Sequence, residues 1–150
     1  MNFSIDAVLP AAQEEIWQVF FDVQRIAGLI PGCEAVQEEA PLALYSAVMK
    51  QKIGPFRFEV PTRIVVEALQ APGHVRVRAT GKDKFTGTTI DVVLAVDLAP
   101  AGEGGTRLAV EASLQIAGRL ATLGYPVVKK KSEELFTEFE KRLRAELEIA

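Results

Sequence analysis

The C-terminal segment TLGYPVVKKKSEELFTEFEKRLRAELEIA, residues 122–150, constrains the fold more than any other stretch. It is the chain's long amphipathic helix pattern. Tyr125, Val128, Phe136, Phe139, Leu143 and Leu147 fall on one stripe at helical spacing, and Lys, Arg and Glu fill the other side. Pro126 suits a first-turn position, where its missing N–H costs little. Almost everything before this segment reads as strand. One apolar helical stripe after a run of strands needs a concave sheet to bury it. Ser132 stands in line with Val128, Phe136 and Phe139, where a large apolar residue is expected. It is either a small polar residue near the helix start or a sign that the helix lines a space there without filling it.

The preceding chain supplies that sheet. Phe3, Ile5, Ala7 and Leu9 alternate with Asn2, Ser4, Asp6 and Val8 as a first strand, and Pro10 ends it. AAQEEIWQVFFDV then reads as a helix with Ile16, Trp17, Phe20 and Val23 on its apolar side, and QRIAGLI as a second short helix stopped by Pro31-Gly32. Helices this short need a larger element to brace. From Cys33 to Ala117 the pattern is strands and turns. The expected inner faces are Tyr45, Ala47, Met49, Gln51 and Ile53; then Phe56 through Ala68 at every second position; then Val75, Val77 and Ala79. Thr88 through Leu98 and Leu108 through Ile116 continue the same alternation. Sequential strands joined by tight turns imply an antiparallel meander with a charged outer face. The expected fold is α+β: a curved antiparallel sheet wrapped around a long C-terminal helix, with two short helices after the first strand, in one domain over 1–150. This is the helix-grip arrangement, and a strongly curved sheet gripping one helix leaves room for an apolar pocket.

Composition narrows the function classes. A formal net charge of -3 gives no broad basic surface and argues against nucleic acid as a partner. One cysteine excludes an internal disulfide and fits a reducing compartment. The N-terminus is too short and polar for a signal peptide, and no apolar run approaches the ~20 residues of a membrane span. A cytoplasmic location, with at most peripheral contact at the inner face of a membrane, is expected.

Catalytic and metal chemistry find little support. Cys33 sits in a turn and His74 on the expected outer face, so no sheltered nucleophile–base pair is in view. No clustered His/Cys spacing points to a metal, and Asp91 and Asp97 stand on an outer strand face. GEGG at 102–105 is a hairpin turn without a following helix to hold a phosphate. The inward polar residues are Gln51, Thr62, Thr88 and Ser132. The Gln51 amide either meets water or backbone near the rim or hydrogen-bonds a ligand carbonyl; unpaired, it would cost roughly 1–3 kcal/mol. The pocket walls fall to Met49, Phe56, Phe58, Val60, Phe85, Ile90, Val128, Phe136 and Phe139, whose rings suit a flat ring system or serve as ordinary core. Lys129, Lys130 and Lys131 form either a solvated face or a basic collar that docks on anionic lipid headgroups or an acidic partner.

Several motifs resemble one family. IPGCEAV at 30–36, KIGPF at 52–56, GTRL at 105–108, GRLATLG at 118–124 and ELFTEFEKRL at 134–143 are similar to motifs of the CoxG family of carbon monoxide dehydrogenase subunits, in the START-like (SRPBCC) helix-grip superfamily. The middle of the meander departs from the family's glycine-rich stretch, since GKDKFTGTTID keeps Gly81 and Gly87 alone. The resemblance implies a non-enzymatic accessory of carbon monoxide dehydrogenase or a related molybdenum hydroxylase, acting in maturation, membrane recruitment or quinone delivery. It implies no resident cofactor, and a quinone-like or lipid molecule in an apolar cavity. The alternatives are a polyketide cyclase or hydratase of the same fold, which needs polar groups converging inside, and an assembly factor whose interior is filled.

Overall fold

The structure is a computed structural model that describes residues 2–149, without the side chains of Val23 and Gln24. Strand β1 (Asn2–Leu9) is followed by helices α1 (Gln13–Phe21) and α2 (Val23–Leu29). Six strands come next: β2 (Cys33–Ala40), β3 (Leu44–Ile53), β4 (Phe56–Gln70), β5 (His74–Asp83), β6 (Thr88–Pro100) and β7 (Thr106–Ala117). A 3-10 turn at Leu120–Leu123 leads into helix α3 (Tyr125–Glu146). The described residues form a seven-stranded sheet of order β1-β7-β6-β5-β4-β3-β2, antiparallel throughout. This is the expected meander, with β1 returning to pair with β7.

The alternation of apolar and polar residues explains the two faces. Cross-strand partners share a face, and Val77 lies opposite both Val66 and Leu94, while Arg78 lies opposite Val65 and Val93. Arg78 also pairs with Asp91 at 2.5 Å, and Arg107 pairs with Asp6, on the outer face. Asp91 is therefore held in a cross-strand ion pair. A register shift between Val66 and Ala68 corrects one expectation. Beyond it Ala68, read as inner, lies opposite outward Arg76, and Leu69 lies opposite buried Val75. Strand β2 is not legible in the sequence as a separate strand. Ala35 has φ 52 and the pairing with β3 slips twice, which breaks its alternation.

Two apolar clusters hold α3 against the sheet. At the end closed by α1 and α2, Leu9, Ile16, Val19, Leu29, Val96, Leu108 and Leu143 are buried together. Gln13 fastens α1 to this end by donating from Nε2 to the carbonyls of Pro72 (3.0 Å) and Leu98 (3.2 Å). At the opposite end Ile53, Phe58, Val60, Leu120 and Val128 form the second cluster. The fully buried positions of α3 are Val128 and Leu143, about 22 Å apart at 1.5 Å per residue. Tyr125, read as part of the buried stripe, is 57% exposed at the helix start. Helix α1 ends at Phe21, earlier than expected, and Val23 opens α2; the side chain of Val23 lies outside the described residues.

Candidate functional site: the interior beneath helix α3

Between the two clusters the interior is less tightly closed. Ile64, Ala79, Val92 and Leu114 lie on the inner face, in register across four neighbouring strands, yet each is only half-buried. On α3, Ser132, Leu135, Phe136 and Phe139 are also half-buried. Helix α3 is thus buried at Val128 and Leu143 and only half-buried between them. A neighbouring row, Ala47–Thr62–Gly81, is made of small residues. Glycine is required in that row: a Cβ on Gly81 would lie 2.6 Å from the Pro61 carbonyl and 2.7 Å from Val60 Cγ1. The β4–β5 ladder ends at this point. On the outside, a groove of about 390 Å³ runs along the seam of β1 and α3. Its floor is Phe3, Ile5 and Phe136, and its rim includes Lys129, Glu133, Thr137 and Glu140.

The residues singled out in the sequence separate into three groups. Met49, Phe56, Phe58, Val60, Ile90 and Val128 come together in the cluster beneath the start of α3. The rings of Phe56 and Phe58 are 6.2 Å apart, and the Arg119 guanidinium lies 5.2 Å from the Phe56 ring centre. Ser132, Phe136 and Phe139 lie in the half-buried middle band. Phe136 packs on Phe3 of β1 at 5.8 Å and Phe139 on Phe20 of α1 at 6.2 Å. Phe85 belongs to neither place. The Asp83↔Thr88 register makes residues 84–87 a turn, and Phe85 points outward, 100% exposed, so it is not a wall of the interior.

The inward polar groups are engaged by the backbone. Gln51 Nε2 donates to the Pro31 carbonyl at 2.7 Å, which ties β3 to the loop before β2. Ser132 Oγ donates to the Val128 carbonyl one helical turn earlier at 2.9 Å. Thr62 Oγ1 donates to the Val60 carbonyl at 2.9 Å. Thr88 Oγ1 accepts the Leu120 N–H at 3.1 Å and the Thr86 hydroxyl at 2.9 Å. Asp83 corrects the expectation that no carboxylate turns inward: it is 2% exposed. The alternation of β5 carries that signal, since position 83 shares parity with Val75, Val77 and Ala79. Burial alone would raise its pKa, but the N–H groups of Glu59 (3.2 Å), Phe85 (2.9 Å) and Thr86 (3.4 Å) outweigh burial and hold it below the ordinary 3.8. Asp83 serves as a structural acceptor that spans the gap where the β4–β5 ladder has ended.

Cys33 and His74 do not form a pair. Cys33 lies in register with Met49 and, through it, Val60; His74 lies opposite Gln70, ten residues further along β4. That separation is about 33 Å along the strand. Burial, with Glu34 adding to it, pushes the Cys33 thiol up, away from a reactive thiolate. His74 Nδ1 instead meets Asp97 at 2.7 Å on the outer face. In the lysine run, Lys129 reaches Glu133 at 3.9 Å, Lys130 is exposed and Lys131 is half-buried. Among the described residues, no helix is long and apolar enough to cross a membrane.

Comparison with solved structures shows the fold. A conserved protein from Geobacillus kaustophilus superposes with a TM-score of 0.88 at 20% identity, covering 98% of this chain and 95% of that one. A START superfamily protein from Mycobacterium smegmatis gives 0.73 at 14% identity, with 98% and 97% covered. The Mll3558 protein from Rhizobium loti gives 0.72 at 17% identity, with 98% and 96% covered. No curated protein matches the sequence. The fold, with its gripped helix, is START-like. Residues 7–148 match the family model for the CoxG subunit of carbon monoxide dehydrogenase, and the chain belongs to that family.

Proposed function

We propose that this protein is a non-enzymatic carrier that holds one quinone-like or lipid molecule beneath α3, as an accessory of a carbon monoxide dehydrogenase-type complex. The half-buried middle band carries the reading: the inner-face residues Ile64, Ala79, Val92 and Leu114 and the α3 residues Ser132, Leu135, Phe136 and Phe139 are each half-buried, between two ends that are closed. Burial of apolar ligand surface supplies the affinity at about 25 cal/mol per Å². Phe136 and Phe139 offer ring faces for offset stacking. The inward hydroxyls and the Gln51 amide already have backbone partners, so affinity rests on shape and apolar area. Membership of the CoxG family supports a place beside a carbon monoxide dehydrogenase or a related molybdenum hydroxylase, in maturation, membrane recruitment or quinone delivery. Titration with a short-chain ubiquinone analogue, followed by quenching of Trp17, the single tryptophan, tests the reading. Saturable one-site quenching is expected. Linear, non-saturating quenching would refute the quinone site.

An assembly factor with a filled interior is the second reading, favoured by the packed cluster of Ile53, Phe58, Val60, Leu120 and Val128. It predicts partner binding that no interior substitution changes unless it unfolds the protein.

A further inference from the structure

Among the described residues β1 and β2 are the two edges of the sheet, and they are built differently. Strand β2 is guarded. Its pairing with β3 slips twice, Ala35 is left-handed, and Glu34, Glu38 and Glu39 stand along it. Bulges and charges of this sort keep an edge from pairing with another chain. Strand β1 has neither device. Its eight residues stay in unbroken register with β7, and its one charged residue, Asp6, is engaged by Arg107. Val8 on this edge is 59% exposed.

The ladder pattern fixes which groups the β1 edge leaves open. Ala101 N–H donates to the Gly105 carbonyl (3.0 Å), and Leu98 N–H to the Gly73 carbonyl (2.7 Å). Bonded and non-bonded pairs alternate along an antiparallel ladder. Both bonds therefore direct the N–H and C=O of Thr106, Leu108, Val110 and Ala112 toward β1, where their partners are Leu9, Ala7, Ile5 and Phe3. The N–H and C=O groups of Asn2, Ser4, Asp6 and Val8 point the other way, out of the sheet. Beside them lies the groove of about 390 Å³ floored by Phe3, Ile5 and Phe136. A strand laid along this edge completes the open ladder and covers that floor.

We propose that a second copy of this chain takes that place, its β1 running antiparallel to the first about a two-fold axis at Ile5. Cross-strand partners share a face, so inner residues pair with inner and outer with outer. Among such registers the one centred on Ile5 overlaps most, from Asn2 through Val8. On the inner face it sets Phe3 against Ala7 of the second copy and Ile5 against Ile5, apolar throughout. On the outer face Ser4 meets Asp6 of the second copy and Asn2 meets Val8, so no like charges stand opposite. An axis at Asp6 would oppose two carboxylates, and an axis at Ser4 would leave Ala7 and Val8 unpaired. The strand is therefore complementary to itself, which favours a second copy over a foreign segment. One strand pair and one groove stand at the low end of interface sizes, so the dimer is reversible. The inference stands apart from the interior ligand.

Sedimentation equilibrium of the full chain over a range of concentrations tests it. A monomer–dimer equilibrium is expected. Ser4→Pro removes an N–H that points to the open edge and none that β7 uses, a position where a strand tolerates proline. It is expected to weaken the dimer about ten-fold or more. Cross-linking reads the register independently of that variant. In a Cys33→Ala background, which has no other thiol, Ile5→Cys is expected to form an intermolecular disulfide under oxidised glutathione, because non-bonded partners stand ~4.5 Å apart between Cα atoms. Ala7→Cys in the same background, whose mate lies ~13 Å away along the strands, is expected not to link. A monomer at every concentration, a dimer indifferent to Ser4→Pro, or linking at Ala7 and not at Ile5 overturns the proposal. Capture of a foreign extended segment by β1 in place of self-association also overturns it and reassigns the edge to another protein.

Discussion

Replacing Ser132 with leucine separates an open interior from a filled one by the sign of the stability change. Ser132 lies one turn beyond buried Val128 and one turn before Phe136, in the half-buried middle of α3. Its hydroxyl donates to the Val128 carbonyl at 2.9 Å. The helix ladder already serves that carbonyl, so losing the hydroxyl leaves no orphaned acceptor. Leucine adds three carbons toward the sheet. At about 0.8 kcal/mol per fully buried CH₂, discounted for partial burial, and with a few tenths from better helix propensity, the gain is about 1–2 kcal/mol. For a chain of this length the melting temperature then rises by about 2–8 °C. If side chains already fill the space, the added carbons cost about 1–3 kcal/mol instead. Thermal and urea unfolding of ligand-free protein read the sign, and quinone titration of the same variant reads occupancy. Increased stability with at least ten-fold weaker binding is expected. Decreased stability with binding intact would refute the open middle band.

Asp83→Ala leaves the N–H groups of Glu59, Phe85 and Thr86 without their acceptor and should cost about 2–3 kcal/mol in urea unfolding. Because the folded-state pKa of Asp83 is lowered, its contribution is complete above about pH 4 and fades as pH falls through the folded value. Wild type should therefore lose part of its stability below pH 4 that Asp83→Ala does not lose. Gly32→Ala forces a side chain onto a backbone at φ 80 and into the Lys50 carbonyl and the Gln51 amide, and should cost about 2 kcal/mol or more. Cys33→Ala and His74→Ala should leave quinone affinity unchanged; abolished function in either variant would contradict the non-enzymatic reading.

Much of the fold is legible in the sequence because its signals are local. Alternation within each strand assigns β1 and β3 to β7, and the spacing of Phe136, Phe139 and Leu143 assigns α3. What escapes depends on relations between strands or on broken periodicity. The slip at Val66/Ala68 moves Ala68 off the inner face, and no pattern within β4 signals it. Strand β2 hides behind the left-handed turn at Ala35. The small row Ala47–Thr62–Gly81 exists only once three strands are in register. The ring of Phe85 suggests a wall by its chemistry alone, although the residue lies between two strands. Asp83 has the parity of an inward residue, but its residue type argues the other way, because carboxylates seldom enter an interior.

Solvent extraction of freshly purified protein, followed by mass spectrometry and by titration of the extracted protein with quinone and phospholipid, tests the carrier reading most directly. A single apolar molecule at one per chain, or one-site rebinding after extraction, is the expected result. A protein that yields nothing and binds neither quinone nor lipid on titration would contradict it.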